Sequence, residues 1–241
     1  PDDVKAAYSR SKNIIRKTPL DHSPSLSNII DGEVYLKLDN IQKTGSFKFR
    51  GAISKMTSLN EKQRKKGVVT ASTGNHGAAV SLGMKILGIN GSIIVPENIA
   101  PNKVENINNL GGTVEYYGND CLEAEQRAQE ISVTTGAIYI SPYNDPVIVA
   151  GQGTMGVELD EDLSNIDTVI VAVGGGGLIS GIGGYLKTVQ PNVQMVGCSP
   201  KNSCVMYESL QAGRILDLPS KPTLSDGTAG GVEENSITFE I

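Results

Sequence analysis

In "KTGSFKFRG", residues 43–51, Lys48 stands behind a small polar turn, between Phe47 and Phe49, with Arg50 two places on. The pattern puts Ser46 at a possible helix cap and Lys48 in the first helical turn, where the helix dipole disfavours a cation. Burial beside two phenylalanines acts the same way, toward the neutral amine. A neutral lysine is a nucleophile and a base, the form used for Schiff-base chemistry with an aldehyde. A solvated surface cation is the plainer reading of this stretch taken alone, and both readings stand at this point. Arg50 reads as an ion-pair or carbonyl ligand rather than a catalyst.

Two further turns carry chemistry-bearing groups. In "VAVGGGGLISG", residues 171–181, four glycines close an apolar strand and open a helix. Consecutive glycines are costly in chain entropy. Without Cβ atoms their N–H groups can curl around an anion, with the helix dipole behind them, so a phosphate suits the turn. A tight turn against packed backbone is the alternative. Neither the dinucleotide pattern G-x-G-x-x-G nor the Walker pattern is present in this stretch. In "TASTGNHGAAV", residues 70–80, Ser72, Thr73, Asn75 and His76 gather at a helix start. Hydroxyls, an amide and exposed N–H groups there make a receptor for a carboxylate, or simply an N-cap.

The elements that must position these turns alternate. Short β-rich runs at 34–38, 67–71, 91–95, 113–117, 137–140, 168–173 and 193–198 are separated by helical patterns at 48–58, 75–87, 101–109, 120–134, 147–159, 178–189 and 203–212. That order predicts α/β architecture with parallel strands and crossover helices. The apolar runs 91–95 and 168–173 read as strands covered on both faces. "SPYND", residues 141–145, is the clearest turn cluster and the best candidate crossover.

Composition narrows the partners. The chain has 241 residues, 39% hydrophobic and 20% charged, with a formal net charge of −5, enough for one sizeable core or two smaller ones. There is no cationic field or Lys/Arg run for nucleic acid or an acidic membrane, and no apolar run of membrane-spanning length. Cys121, Cys198, Cys204, His22 and His76 form none of the zinc spacings, so no metal is expected there and a reducing, cytoplasmic setting fits.

Taken together and in order, "KLDNIQKTGSFKFRGA", "ASTGNHGAAV" and "VAVGGGGLISG" resemble the Schiff-base lysine motif, substrate-carboxylate loop and phosphate loop of fold type II pyridoxal-phosphate enzymes. "RKTPLDHS" 16–23, "GQGTMGVEL" 151–159 and "TLSDGTAGG" 223–231 extend the resemblance over nearly the whole chain. Phe49 between Lys48 and Arg50, and His76 after Asn75, place it nearer the serine/threonine dehydratase (ammonia-lyase) branch, which includes serine racemase, than the cysteine synthases. The resemblance implies two open, twisted, mainly parallel sheets with flanking helices, in a large domain of residues 1–59 and 145–241 and a small domain of residues 60–144. It implies pyridoxal 5'-phosphate on the catalytic Lys48, with Phe47 against the ring, Asn75 at its phenolic oxygen and Gly174, Gly175, Gly176 and Gly177 at the phosphate. Ser72, Thr73, Asn75, His76 and Gln152 would receive the substrate carboxylate.

The activity so implied is β-elimination from a hydroxyamino acid such as L-threonine or L-serine to a 2-oxo acid and ammonia. Serine racemisation and 3-hydroxyaspartate dehydration are the alternatives on the same scaffold, and a non-catalytic protein binding a phosphorylated small molecule is the alternative of another class. In serine racemases a serine hydroxyl at the position of Thr73 is assigned to proton transfer, and relatives are commonly dimers or tetramers. Two departures stand out. "VGCSPKNSC" 196–204 offers Ser199 where many relatives place a cation-binding carboxylate, and the partner of the pyridine nitrogen has no counterpart in the sequence. The sequence opens on Pro1 and breaks off in the apolar series Ile237, Phe239, Ile241 with no stop signal, so the natural chain is expected to run on for roughly 60 to 90 residues, judged from typical domain size.

Overall fold

The computed structural model describes residues 1–241. In chain order the elements are α1 (Asp2–Ser11), β1 (Leu20–His22), α2 (Pro24–Ile30), β2 (Tyr35–Lys37), α3 (Lys48–Ser58), α4 (Glu61–Lys66), β3 (Val68–Ala71), α5 (Asn75–Leu87), β4 (Gly91–Val95) and α6 (Pro101–Asn109). They continue as β5 (Val114–Tyr116), α7 (Cys121–Thr135), β6 (Ile138–Tyr139), α8 (Pro146–Asp162), β7 (Thr168–Ala172), α9 (Gly177–Val189), β8 (Gln194–Cys198), α10 (Val205–Ala212) and α11 (Ile237–Glu240).

Local chemistry sets several helix ends. Asp120 caps α7 by accepting from the Glu123 N–H, and Gly136 closes it in the left-handed region. Asp145 caps α8 by accepting from Val147 and Ile148, with Pro146 in the first turn, where its missing N–H costs nothing. Asn60 and Gln63 form a reciprocal capping box on α4.

Three sheets result. β3 to β6 form a parallel four-stranded sheet in the order β5-β4-β3-β6, β7 and β8 pair in parallel, and β1 and β2 form a small antiparallel pair. The largest core gathers Phe49, Ile53 and Met56 of α3, Val80 and Met84 of α5, and Ile93 and Val95 of β4. A second joins Val4 of α1, Met155 and Leu159 of α8, Val171 of β7, and Ile182 and Leu186 of α9. Between α8 and α9 the backbones nearly touch: a Cβ on Gly153 would lie 2.6 Å from the Gly181 carbonyl oxygen.

The strand 91–95 is covered as expected, with Ile93, Ile94 and Val95 fully buried. The strand at 168–173 is not. Val171 is buried against α9, but Ile170 is 70% exposed. Successive side chains of a strand point to opposite faces, and α9 covers only one face of the β7–β8 pair.

Candidate active site

Lys48 is the first residue of α3, so α3 aims it from the end that Phe49, Ile53 and Met56 anchor in the core. Its Nζ donates to the Pro142 carbonyl oxygen at 2.8 Å and lies 5.3 Å from the Phe47 ring centre. Burial lowers its pKa to about 8, and no acidic side chain pairs with it. Ser46 is not the cap: Phe47 occupies that position, and the buried hydroxyls of Ser46 and Thr44 have no hydrogen-bond partner in the chain.

Arg50 points the opposite way, fully buried and bonded to Asp39 at 2.7 Å and Glu158 at 2.6 Å. Lys37 also reaches Glu158, at 2.8 Å, and Thr18 donates to Asp39. Arg50 and Lys37 thus pair with Asp39 and Glu158 behind the lysine helix, with Asp162 3.7 Å from Lys37 at the edge of the network, and Arg50 has the ion-pair role read from sequence.

The turn from β3 to α5 leaves Ser72 and Thr73 half-buried and Asn75 exposed at the helix start. The His76 ring turns inward. Its Nε2 lies 2.9 Å from the Ile140 carbonyl, and since a carbonyl only accepts, Nε2 carries the proton. Burial, reinforced by the charge of Lys48, holds the ring neutral with a pKa lowered to about 3. What His76 offers a carboxylate is its backbone N–H, not its ring. Gln152 is not brought to this cleft: it is 1% exposed in the α3–α8 crossing, where its Oε1 accepts from the Gly51 N–H at 3.2 Å.

Between β7 and α9, Gly174 to Gly177 form a turn whose four N–H groups have no acceptor in the chain. Gly176 has φ +81°, which favours glycine. A Cβ on Gly174 would fall 2.8 Å from the Thr228 carbonyl, and one on Gly175 2.6 Å from the Tyr143 ring. The "TLSDGTAGG" segment bridges two turns: Thr228 packs on Gly174 while Gly227 lies beside the Asn75 amide.

The "SPYND" crossover, with Ile140 just before it, is also the hub of the site. Ile140 and Pro142 accept from His76 and Lys48, Tyr143 backs the glycine turn, and Asn144 binds Glu233 at 2.6 Å and the Ile237 N–H at 2.9 Å. The signal available was a tyrosine and an asparagine next to a proline in the crossover between two helical regions. A depression of about 450 Å³ lined by Lys17, Thr18, Pro19 and Tyr35 lies elsewhere and holds none of these groups.

Residues 12–241 match the family model described as pyridoxal-phosphate dependent enzyme. The chain belongs to that family. Among curated relatives, the L-threonine ammonia-lyase of Thermotoga maritima is 44% identical over 240 residues, covering 100% of this chain and 60% of the relative. The L-threonine dehydratase catabolic TdcB of Escherichia coli K12 is 39% identical, covering 100% and 73%. Maize serine racemase superposes with a TM-score of 0.93 at 35% identity, over 99% of this chain and 72% of that one. This pyridoxal-phosphate family member therefore spans about 60 to 73% of the length of these relatives.

The residues present fit the cofactor of the family. Pyridoxal phosphate needs an amine that gives up its proton easily, a receptor for a phosphate dianion and room for a flat ring. Lys48 has the first property. The acceptor-free N–H groups of Gly174 to Gly177 have the second, in a cradle that Cβ atoms would fill. Ser46 and Thr44 add unpartnered hydroxyls in the loop that leads to the lysine. Where relatives are expected to place a cation-binding acid, the Ser199 hydroxyl donates to the Val173 carbonyl at 2.9 Å.

Proposed function

We propose that this chain carries out β-elimination on a hydroxyamino acid such as L-threonine or L-serine, giving a 2-oxo acid and ammonia. The observation that carries the reading is the Lys48 amine: buried, free of any acidic partner and within one residue's reach, through Pro142 and Tyr143, of a glycine turn with unused N–H groups. When bound, pyridoxal phosphate supplies an aldehyde for Lys48 and an electron-withdrawing ring that stabilises negative charge at the substrate Cα. Lys48 would anchor it, Gly174 to Gly177 would receive its phosphate, Phe47 would lie against the ring, and Asn75 would reach its phenolic oxygen.

The hydroxyls of Ser72 and Thr73 and the N–H groups at the start of α5 would hold the substrate carboxylate, which fixes the Cα–H bond toward the lysine. Lys48, with its lowered pKa, takes the Cα proton at its amine. The electron pair of that C–H bond forms a Cα–Cβ double bond as the β-hydroxyl takes a proton and leaves as water; Cβ then takes up a proton, and one water hydrolyses the resulting C=N bond to the keto group and ammonia. In this reading residues 60–144 form the small domain and the rest the large one, the working form is a homodimer or homotetramer, the compartment is cytoplasmic, and nucleic acid and membrane take no part. No helix is long and apolar enough to cross a membrane.

Borohydride reduction followed by peptide mapping tests the anchor: label on Lys48 is expected, and label on another lysine rejects it. An oxo-acid assay across a panel of hydroxyamino acids tests the reaction, and Lys48→Ala is expected to abolish turnover. The similarity to maize serine racemase favours racemisation as a second reading. Racemisation needs a second proton donor, and the Thr73 hydroxyl is the candidate, its added methyl restricting χ1 relative to serine. Elimination is expected to dominate, and D-serine forming faster than pyruvate would reverse that ranking.

A further inference from the structure

We propose that Thr238 is a positioning residue for the anion-binding turn, aiming the Gly176 N–H at the phosphate by holding the preceding carbonyl back; this rests on the cofactor reading above. The Thr238 hydroxyl donates to the Gly175 carbonyl oxygen at 2.6 Å. Ser236 and Thr238 hydroxyls lie 2.7 Å apart. A carbonyl only accepts, so the Thr238 proton is committed to Gly175 and Ser236 must be the donor to Thr238. The relay runs one way: Ser236 to Thr238 to Gly175. Both hydroxyl residues are buried, at 3% and 7% exposure, out of reach of bulk water that would otherwise satisfy them.

The consequence follows from the planarity of one peptide. No peptide bond in the chain is cis. In a trans peptide the C=O and the next N–H point in opposite directions, so pulling the Gly175 carbonyl toward Thr238 turns the Gly176 N–H away from it. Thr238 packs under Gly176, where an added Cβ would be 3.0 Å from both the Thr238 Cβ and Oγ1. A turn of four glycines has little backbone preference of its own. With the tether removed, the Gly175–Gly176 peptide is free to rotate and present its carbonyl, the wrong end of the dipole, to an anion.

The tether is itself anchored. Asn144 accepts from the Ile237 N–H at 2.9 Å, one residue before Thr238, and the Tyr143 hydroxyl accepts from the Glu233 N–H at 2.8 Å. The same Tyr143 ring lies against Gly175 from another side. Crossover, glycine turn and residues 233–238 thus form a closed triangle whose one direct hold on a glycine carbonyl is Thr238. The ligand class this favours is a phosphomonoester, because only the phosphate needs the aimed N–H.

The test compares pyridoxal phosphate with pyridoxal, which offers Lys48 the same aldehyde without the phosphate, by absorbance titration of the full chain. Thr238→Ala and the isosteric Thr238→Val are expected to weaken pyridoxal phosphate binding about tenfold, the value of one hydrogen bond to a charged group, with pyridoxal unchanged. Thr238→Ser is expected to stay within about twofold of wild type, and Ser236→Ala to lose phosphate preference by a smaller factor. Inorganic phosphate is expected to compete with pyridoxal phosphate less effectively in Thr238→Val than in wild type. Equal losses for both aldehydes, or full pyridoxal phosphate affinity in both Thr238→Ala and Thr238→Val, overturn the proposal. Failure of the cofactor reading itself has a different signature, a wild-type chain that takes up neither aldehyde, and that result removes the proposal with it.

Discussion

The Lys48 amine and the Pro142 carbonyl oxygen stand 2.8 Å apart, and that carbonyl is the amine's one hydrogen-bond partner in the chain. A neutral acceptor steadies an amine in either protonation state, whereas a carboxylate would hold it charged. Burial is then left to decide, and it favours the neutral form.

Reactivity of Lys48 toward an aldehyde is therefore expected to inflect near pH 8 instead of near 10.5. Between those values the unfolded chain binds more protons than the folded one at this position, so stability in the absence of cofactor is expected to rise with pH across that window. Lys48→Met should remove the rise. Denaturant midpoints at pH 8 and pH 10 for both proteins check it, and identical slopes would count against a lowered pKa.

His76 sets an acid limit. Its folded pKa of about 3 lies below the usual 6.5, so the unfolded chain binds the extra proton first as pH falls, and stability is lost from about 6.5 downward. By pH 4.5 the loss is about 3 kcal/mol at one pKa unit per 1.36 kcal/mol. Urea unfolding of wild type and His76→Gln at pH 7 and 4.5 measures the difference, which the substitution should largely erase.

The buried network behind the site predicts a different defect. Arg50→Met leaves Asp39 and Glu158 facing each other with only Lys37 nearby, and removing one partner of a buried pair typically costs about 3–5 kcal/mol. Thermal unfolding is expected to fall by many degrees. Because Arg50 points away from Lys48, the protein that remains folded should still form the lysine adduct.

Two glycines of neighbouring helices should respond with opposite signs. Gly153→Ala drives a Cβ to 2.6 Å from the Gly181 carbonyl oxygen and is expected to destabilise by about 1–3 kcal/mol, as overpacking does. Gly184, in the interior of α9, has open space around its would-be Cβ, so Gly184→Ala is expected to stabilise by about 0.4–1 kcal/mol. Denaturant midpoints of the two variants decide it.

Much of this was legible in the sequence because the signals were local. The bounds of α3, α5 and α6 follow from apolar spacing and punctuation by Gly and Pro, and the three motif turns lie where their residues placed them. The helices α1, α2 and α4 have no counterpart among the expected elements: α1 and α4 are dominated by charged and polar residues, and α2 is a seven-residue segment with one buried residue, so none shows a clear apolar period. Exposure of Ile170 was misread because an apolar run does not reveal how many elements cover it. Side-chain direction was the other loss: nothing near His76 or Gln152 in sequence announces that the partners are Ile140 and Gly51. Nothing in the sequence singles out Thr238 between Ile237 and Phe239, because the carbonyl it holds lies 63 residues earlier.

The triangle around the glycine turn also has a position in time. Its contacts, and that of the lysine beside it, join residues 90 apart at Tyr143 and Glu233, 63 apart at Gly175 and Thr238, and 94 apart at Lys48 and Pro142. Contacts of such separation form late, after local helices and neighbouring strands. On a ribosome the glycine turn emerges well before Thr238 exists to aim it, so during synthesis the lysine is present long before a phosphate can be held beside it. Uptake of cofactor then waits on these long-range contacts, and in refolding experiments its absorbance is expected to appear after the helical signal.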